Sequence, residues 1–269
     1  MNQEVSVRGT SGTQSVDRAL ALLRLVGSRG DAGASLVEVV ARSGLEKPTV
    51  RRLLMALVRG GLVEQDPVSR SYHLGAECYV LGALASPRHG LLEIAADAVA
   101  RLARESGDTA FVTMRRGSAA VCLHREEGSF PIRTHALTAG ALHPRGVGAG
   151  SLALLAALPT DEAEAAIRDN AQWLAQEYPG LEPETLKREV EETRARGWAL
   201  NPGRVVAGSW GIGVALRRRD GAVAGALSLA AIETRLHPPR DADLAAMLMR
   251  EREMVEARLA RDPAGGERR

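Results

Sequence analysis

Apolar positions in the first part of the chain recur with a helical period and then give way to alternation. From Ser15 onward, Val16, Ala19, Leu20 and Leu23 share one face of a helix for which Ser15 is the candidate N-cap. The stretch "GSRGDAGA" breaks that pattern. A second helix opens at Ser35, with Glu38 three residues on completing a capping box, and it buries Leu36, Val39 and Val40 before Gly44 ends it. Leu45 occupies the turn, and Pro48 stands near the first position of a third helix, where its missing N–H costs nothing. In that helix Val50, Leu53, Leu54, Leu57 and Val58 recur at i, i+3, i+4, i+7 and i+8, so one face is buried. Gly60-Gly61 stops it, and "LVEQ" and "SYHL" then read as short strands joined by "DPVSR".

Three short helices followed by a hairpin make the plan of a winged helix-turn-helix, with the third helix placed for a major groove. Thr49, Arg51 and Arg52 cluster at the start of that helix, off its buried face, with Lys47 just before them. Arginine suits bidentate contacts to guanine O6 and N7, and Thr49 and Lys47 suit phosphates or base edges. Arg70, at the wing tip, would reach a phosphate or the minor groove. The same pattern also fits a three-helix bundle whose arginines coat a protein-contact surface. Between Leu36 and Gly75 six basic residues face four acids, a mild excess that would require two copies of the module for useful affinity.

Further on the pattern changes. Residues 76–84 read as a short helix, and Pro87 with Gly90 marks a joint. "LLEIAADAVARLARESG" is an amphipathic helix, followed by strand-like runs "TAFVTMRR", "AAVCLHRE" and "FPIRTHAL". Helical patterns occupy about 151–170 and 182–196, with Gly197 placed to end the second. Strands return at "WALNPGRVV" and "GIGVALRR", and Asp220-Gly221 turns the chain into "AVAGALSLAAI" before a charged helix at 240–261. The expected class is α+β, with a second domain built on an antiparallel sheet. The expected division is a disordered tail over 1–14, a winged helix-turn-helix over 15–75, a linker helix and joint over 76–90, an effector-binding and oligomerisation domain over 91–262, and a disordered tail over 263–269.

Composition narrows the possibilities. A formal net charge of +2 over 269 residues excludes wholesale polyanion binding, so any nucleic-acid surface must be local. Aromatics at 3% argue against stacking platforms for single strands. No apolar run reaches the roughly 18 residues needed to span a bilayer, so no membrane partner is expected. "MNQEVSVRGTSGTQ" has no apolar core of a secretory signal, and Cys78 and Cys122 form no metal or CxxC pattern. A cytoplasmic location with reduced thiols is the expectation.

Catalytic motifs fail on context. "AGSWG" at 207–211 has the outline of a nucleophile elbow, but the following "GIGVALRR" is strand-like where that motif needs a helix. "GVGAGS" lacks the third glycine of a dinucleotide fingerprint and a surrounding βαβ unit. The six histidines show no HxxxH or HExxH spacing, His124 and Glu126 form only a weak pair, and His143-Pro144 reads as turn chemistry. The chain is therefore expected to be no enzyme and to carry no cofactor or metal.

The blocks "SVDRALALLRLV", "LVEVVARSGLEKPTVRRLLMALVRGGLVEQD", "YHLG", "HPRGVGAGSLALLAALP", "TRARGWALNPG" and "RRRDGAVAGALSLAAIETR" together resemble the IclR family of bacterial transcriptional regulators. The resemblance runs from about Ser15 to Arg261 and favours DNA binding over protein contact. It implies a linker helix and a GAF-like effector domain, homodimers or homotetramers on palindromic double-stranded operators, and a small organic effector, often a carboxylate or aromatic compound. A sensor whose helix-turn-helix mediates only protein contacts is the alternative. The resemblance places effector contacts at Gly148, Ala149, Asn201, Ser209, Gly211, Ser228 and Ala230. Consecutive glycines ahead of a helix let backbone N–H groups converge on an anion, or simply permit a tight strand-to-helix turn. Ser228, likewise, could face a ligand or bond to backbone. Gly150-Ser151 replaces the family's more frequent Gly-Lys, and Asn201, Gly211 and Ala230 stand where some members carry acid, Cys and Ser. A less polar pocket follows, and with Trp210 nearby it points to a larger or aromatic ligand.

Overall fold

The computed structural model describes residues 13–132 and 137–261, which divide into two compact units between Pro87 and Arg88. The expected tails, 1–14 and 263–269, fall outside the described residues except for Thr13 and Gln14.

The first unit contains α1 (Gln14–Gly27), α2 (Leu36–Ser43), α3 (Lys47–Arg59), β1 (Val63–Gln65) and β2 (Tyr72–Leu74), and α4 (Ala76–His89) runs across its end at Pro87. Thr13, not Ser15, occupies the N-cap of α1, and its hydroxyl donates to the Asp17 carboxylate at 3.2 Å. The α2 capping box forms as the sequence predicts. The Glu38 amide donates to Ser35 Oγ at 3.2 Å, and the Ser35 amide donates to the Glu38 carboxylate at 2.9 Å. Leu22, Val39, Val50, Leu54, Val63 and Tyr72 close one core beneath the three helices and the hairpin. Each such burial contributes about 1.5–3 kcal/mol. The hairpin pairs Val63 with Leu74, and Ala34 exchanges two backbone hydrogen bonds with Tyr72, at 2.9 and 2.8 Å. The predicted linker helix runs past residue 84 to His89; Ala83, Leu84 and Ala85 are strong helix formers, and the helix continues through Pro87.

The second unit is built on six antiparallel strands: β3 (Thr109–Arg116), β4 (Ala119–Glu126), β5 (Leu142–Pro144), β6 (Ala199–Val206), β7 (Ser209–Arg217) and β8 (Val223–Ile232). Their order is β5-β4-β3-β8-β7-β6. α5 (Leu91–Ser106) and α9 (Arg240–Arg261) cover one face, where Val99, Leu102, Leu248 and Val255 meet Val112, Ile212, Val214 and Leu229. On the other face lie α6 (Ala149–Ala156), α7 (Thr160–Glu177) and α8 (Pro183–Arg196), packed with Ala120, Ala199 and Ala226. Arg101 on α5 forks onto the buried Glu251 carboxylate of α9, with contacts of 2.8 and 3.2 Å. Asp108, also buried, accepts from Arg235 at 2.9 Å and Arg240 at 2.5 Å.

Two expectations need correction. "FPIRTHAL" forms no strand over its described residues 130–132, where Pro131 removes a ladder donor; residues 133–136 lie outside the description. The third strand on that edge is instead β5, so His143 and Pro144 belong to a strand and not a turn. The single helix expected over 151–170 is two helices, because Pro159 cannot continue α6 and instead precedes α7.

Candidate nucleic-acid interface and ligand site

α3 begins after Glu46, whose backbone is extended, and carries Pro48 in its first turn. Val50, Leu53, Leu54 and Leu57 bury one side of the helix. Lys47, Pro48, Arg51, Arg52 and Met55 are exposed and line a shallow cleft of about 460 Å³ on the outer side. Thr49 is half-buried and lies further round the helix. Arg70 sits on the β1–β2 turn with a left-handed φ of 61°. Asp66 shapes that turn by accepting from the amides of Val68 and Ser69 at 3.0 and 2.6 Å, and those bonds hold its carboxyl below the usual range. Among the described residues no carboxylate pairs with Lys47, Arg51, Arg52 or Arg70, so all four cations face outward without a protein counter-ion. Met55 and Pro48 were not singled out by residue type, although the helical period alone places them on this face.

In the second unit, strand register gathers five of the seven residues assigned by resemblance, and the start of a helix brings the other two, Gly148 and Ala149. Asn201, Gly211 and Ala230 lie side by side across β6, β7 and β8, with Thr109 next in the row on β3. Gly213, Ser228 and Phe111 form the neighbouring row on the same face, and Ser209 opens β7 on that face too. The N-terminus of α6 sits above these rows. Gly148 is its N-cap, with a φ of 78° that favours glycine. Cβ of Ala149 lies 3.3 Å from where a Cβ on Gly211 would stand, and a Cβ on Gly150 would come 3.0 Å from Ser228 Oγ. At Gly213 a Cβ would lie 2.8 Å from the Ala149 carbonyl oxygen, so only glycine admits this approach of helix backbone to sheet. The first-turn amides of α6 thus point their positive end over a buried, largely uncharged surface.

Charge enters at the rim. The Asn201 side chain accepts from the Arg204 amide at 3.0 Å, and the Arg204 guanidinium donates to Glu189 of α8. Burial pushes the Glu189 carboxyl up, against the opposing pull of Arg204. Trp210 departs from expectation, because alternation along β7 sends it to the opposite face. There it packs with the α5–α9 core and against His237, ring centres 4.9 Å apart. It therefore does not line this site. Phe111, which residue type and spacing did not single out, supplies a buried aromatic ring on the site's face instead.

The other chemical candidates resolve into packing. Ser209 opens a strand, so the elbow geometry is absent. Burial pushes the Cys122 thiol up to about 11, which leaves it a poor nucleophile. His124 pairs with Glu126 at 3.3 Å, and no group of three metal-binding side chains occurs among the described residues. His135 lies outside them. Among the described residues no helix is long and apolar enough to cross a membrane.

Comparison with known proteins covers both units. The profile described as "IclR helix-turn-helix domain" matches residues 15–67, and "Bacterial transcriptional regulator IclR C-terminal" matches 84–255. The glycerol operon regulatory protein of Streptomyces griseus is 32% identical over 191 residues, covering 70% of this chain and 72% of the relative. A crystal structure of an IclR transcriptional regulator from Silicibacter sp. TM1040 superposes with a TM-score of 0.73 at 25% identity, covering 91% of this chain and 96% of that one. An IclR homologue from Microbacterium hydrocarbonoxydans, crystallised with 4-hydroxybenzoate, shares the fold with a TM-score of 0.73 at 20% identity, over 91% of this chain and 98% of its own.

Proposed function

The chain belongs to the IclR family of ligand-responsive, helix-turn-helix transcriptional regulators, and from that premise we propose that it binds a palindromic operator as a homo-oligomer under control of a small organic effector. The observation that carries this reading is the outward face of α3, where Lys47, Arg51 and Arg52 stand without counter-ions on a helix fixed by a complete core. In a dimer two such helices would enter major grooves about one turn apart, roughly 34 Å. Arg51 and Arg52 then contact base edges or backbone, Lys47 and Thr49 phosphates or base edges, and Arg70 the phosphate beside the wing. Oligomerisation is supported by α4, whose Tyr79, Val80, Leu81 and Leu84 leave apolar side chains exposed, Tyr79 by 82% and Leu84 by 74%.

The effector site is the surface framed by Gly148, Ala149, Asn201, Ser209, Gly211, Ser228 and Ala230. The α6 amides favour a carboxylate there, and Phe111 favours a ring beside it. A ligand acts on transcription only if it binds one DNA-competence state better than the other. No catalysis is assigned to the chain, and a cytoplasmic location follows from acting on DNA.

Fluorescence anisotropy with a duplex taken from upstream of the protein's own gene, against a scrambled duplex at equal salt, tests the reading. A preference of about a thousandfold or more is expected. Addition of small carboxylates, 4-hydroxybenzoate first among them, is expected to change that affinity. Equal, weak and salt-sensitive binding to both duplexes, with and without ligand, contradicts the proposal.

A further inference from the structure

The DNA-facing surface carries an apolar strip between its cations. At roughly 100° per residue, Val50, Leu53, Leu54 and Leu57 mark the buried side of α3; Pro48 and Arg59 fall within about 10° of the opposite line, and Met55 and Arg52 about 30° to either side of it. Lys47 and Arg51 lie on one side of the Pro48–Met55 strip and Arg52 on the other. Met55 is 42% exposed, and together with Pro48 it forms the floor of the cleft between the cations. A thioether in this position has nothing to offer a phosphate, and leaving it in water gains no burial. A helix entering the major groove meets the phosphates with its flanks and the base edges with its centre. Those edges carry hydrogen-bonding groups throughout, with one apolar exception among the unmodified bases, the C5 methyl of thymine.

We infer that Met55 is a specificity-determining residue that packs on a thymine methyl in each operator half-site, with Pro48 continuing the same apolar strip two turns towards the helix N-terminus. This rests on the reading of α3 as the recognition helix. Methionine suits the role, because an unbranched side chain with three rotatable bonds can follow a methyl whose depth in the groove varies with local DNA shape. The arginines on both flanks fix the register, and Met55 then rejects cytosine, which lacks the methyl, at the contacted position.

The test uses the full-length protein and the tightest duplex it selects from randomised double-stranded DNA. Each thymine is replaced singly by deoxyuridine, which removes the methyl and leaves every hydrogen-bonding group in place. The expected result is one sensitive thymine per half-site, whose conversion weakens binding roughly fourfold, the worth of one buried methyl. Met55→Ala is expected to weaken binding to the thymine duplex by a similar factor and to be indifferent to the conversion. Met55 lies outside the core of its unit, so the variant keeps the fold, and an unchanged thermal midpoint checks that. Absence of any sensitive thymine, or equal sensitivity in wild type and Met55→Ala, overturns the inference while leaving the operator reading intact. Failure to select any preferred sequence overturns both.

Discussion

The two surfaces assigned to function are built on opposite principles. The face of α3 is made by side chains: long cations project from a helix whose other side is locked into a core, and each could be changed with little disturbance beneath it. The site under α6 is made by backbone, because glycines at 148, 150, 211 and 213 let a helix terminus descend onto a sheet. Charge in water identifies a partner by its type, a polyanion. A buried cradle of amides, small hydroxyls and one aromatic ring, if it is the effector site proposed above, would identify a partner by shape.

The largest effect is expected where the backbone-made site is filled. In Gly213→Ala the new methyl would press on the carbonyl and amide of Ala149 and Gly150, atoms that cannot swing away. A loss of about 3 kcal/mol in the second unit is expected. Calorimetric unfolding checks it, and an unchanged transition would show that α6 does not rest on the sheet as described.

A comparable effect is expected from pH. His143 on β5 is 1% exposed, and neither ring nitrogen has a hydrogen-bond partner. Burial pushes its imidazole down to about 4, and the nearby Ala141 backbone only partly opposes this. A depressed histidine leaves the folded state with fewer bound protons than the unfolded chain below about pH 6.5, so stability is full above that value and falls as the pH drops towards 4. The loss approaches about 3 kcal/mol at the acid end. Denaturant midpoints at pH 7 and pH 4.5 are expected to converge more closely in His143→Phe than in wild type, and an identical acid sensitivity in both would assign the effect elsewhere.

A smaller effect is expected where the side-chain-made surface is supported. Ser35→Ala removes half of the α2 capping box and is expected to lower the stability of the first unit by about 1 kcal/mol. Operator affinity measured well below the melting point should barely change, since the Ser35 side chain bonds to Glu38 and to none of Lys47, Arg51 and Arg52. A large loss of affinity would mean that α2 takes part in recognition directly.

The same contrast explains what the sequence revealed. Ser35 with Glu38, Gly44, Pro48 and the heptad-like run from Val50 to Val58 are local signals, and the first unit follows them almost residue by residue. The arginines at 51 and 52 were visible as candidates because nothing apolar hides an exposed charge. The second unit's site is non-local: Asn201, Gly211, Ala230 and Thr109 become neighbours only through strand register across four strands. Resemblance to a family could name the first three, but spacing could not. The expectation for Trp210 fails for the same reason, since one residue of alternation separates the α6 face of the sheet from the α9 face. His143 was read as turn chemistry because Pro144 follows it, whereas pairing of Ala120 with His143 at the sheet edge decides its conformation.

Specificity for DNA is proposed to reside on the exposed face of α3, and Arg51→Ala and Arg52→Ala test this most directly. Their affinities for the preferred and the scrambled duplex should be measured by anisotropy at one salt concentration. The account predicts that each change costs about 1–3 kcal/mol on the preferred duplex and relaxes discrimination between the two. Wild-type affinity and preference in both variants would contradict it.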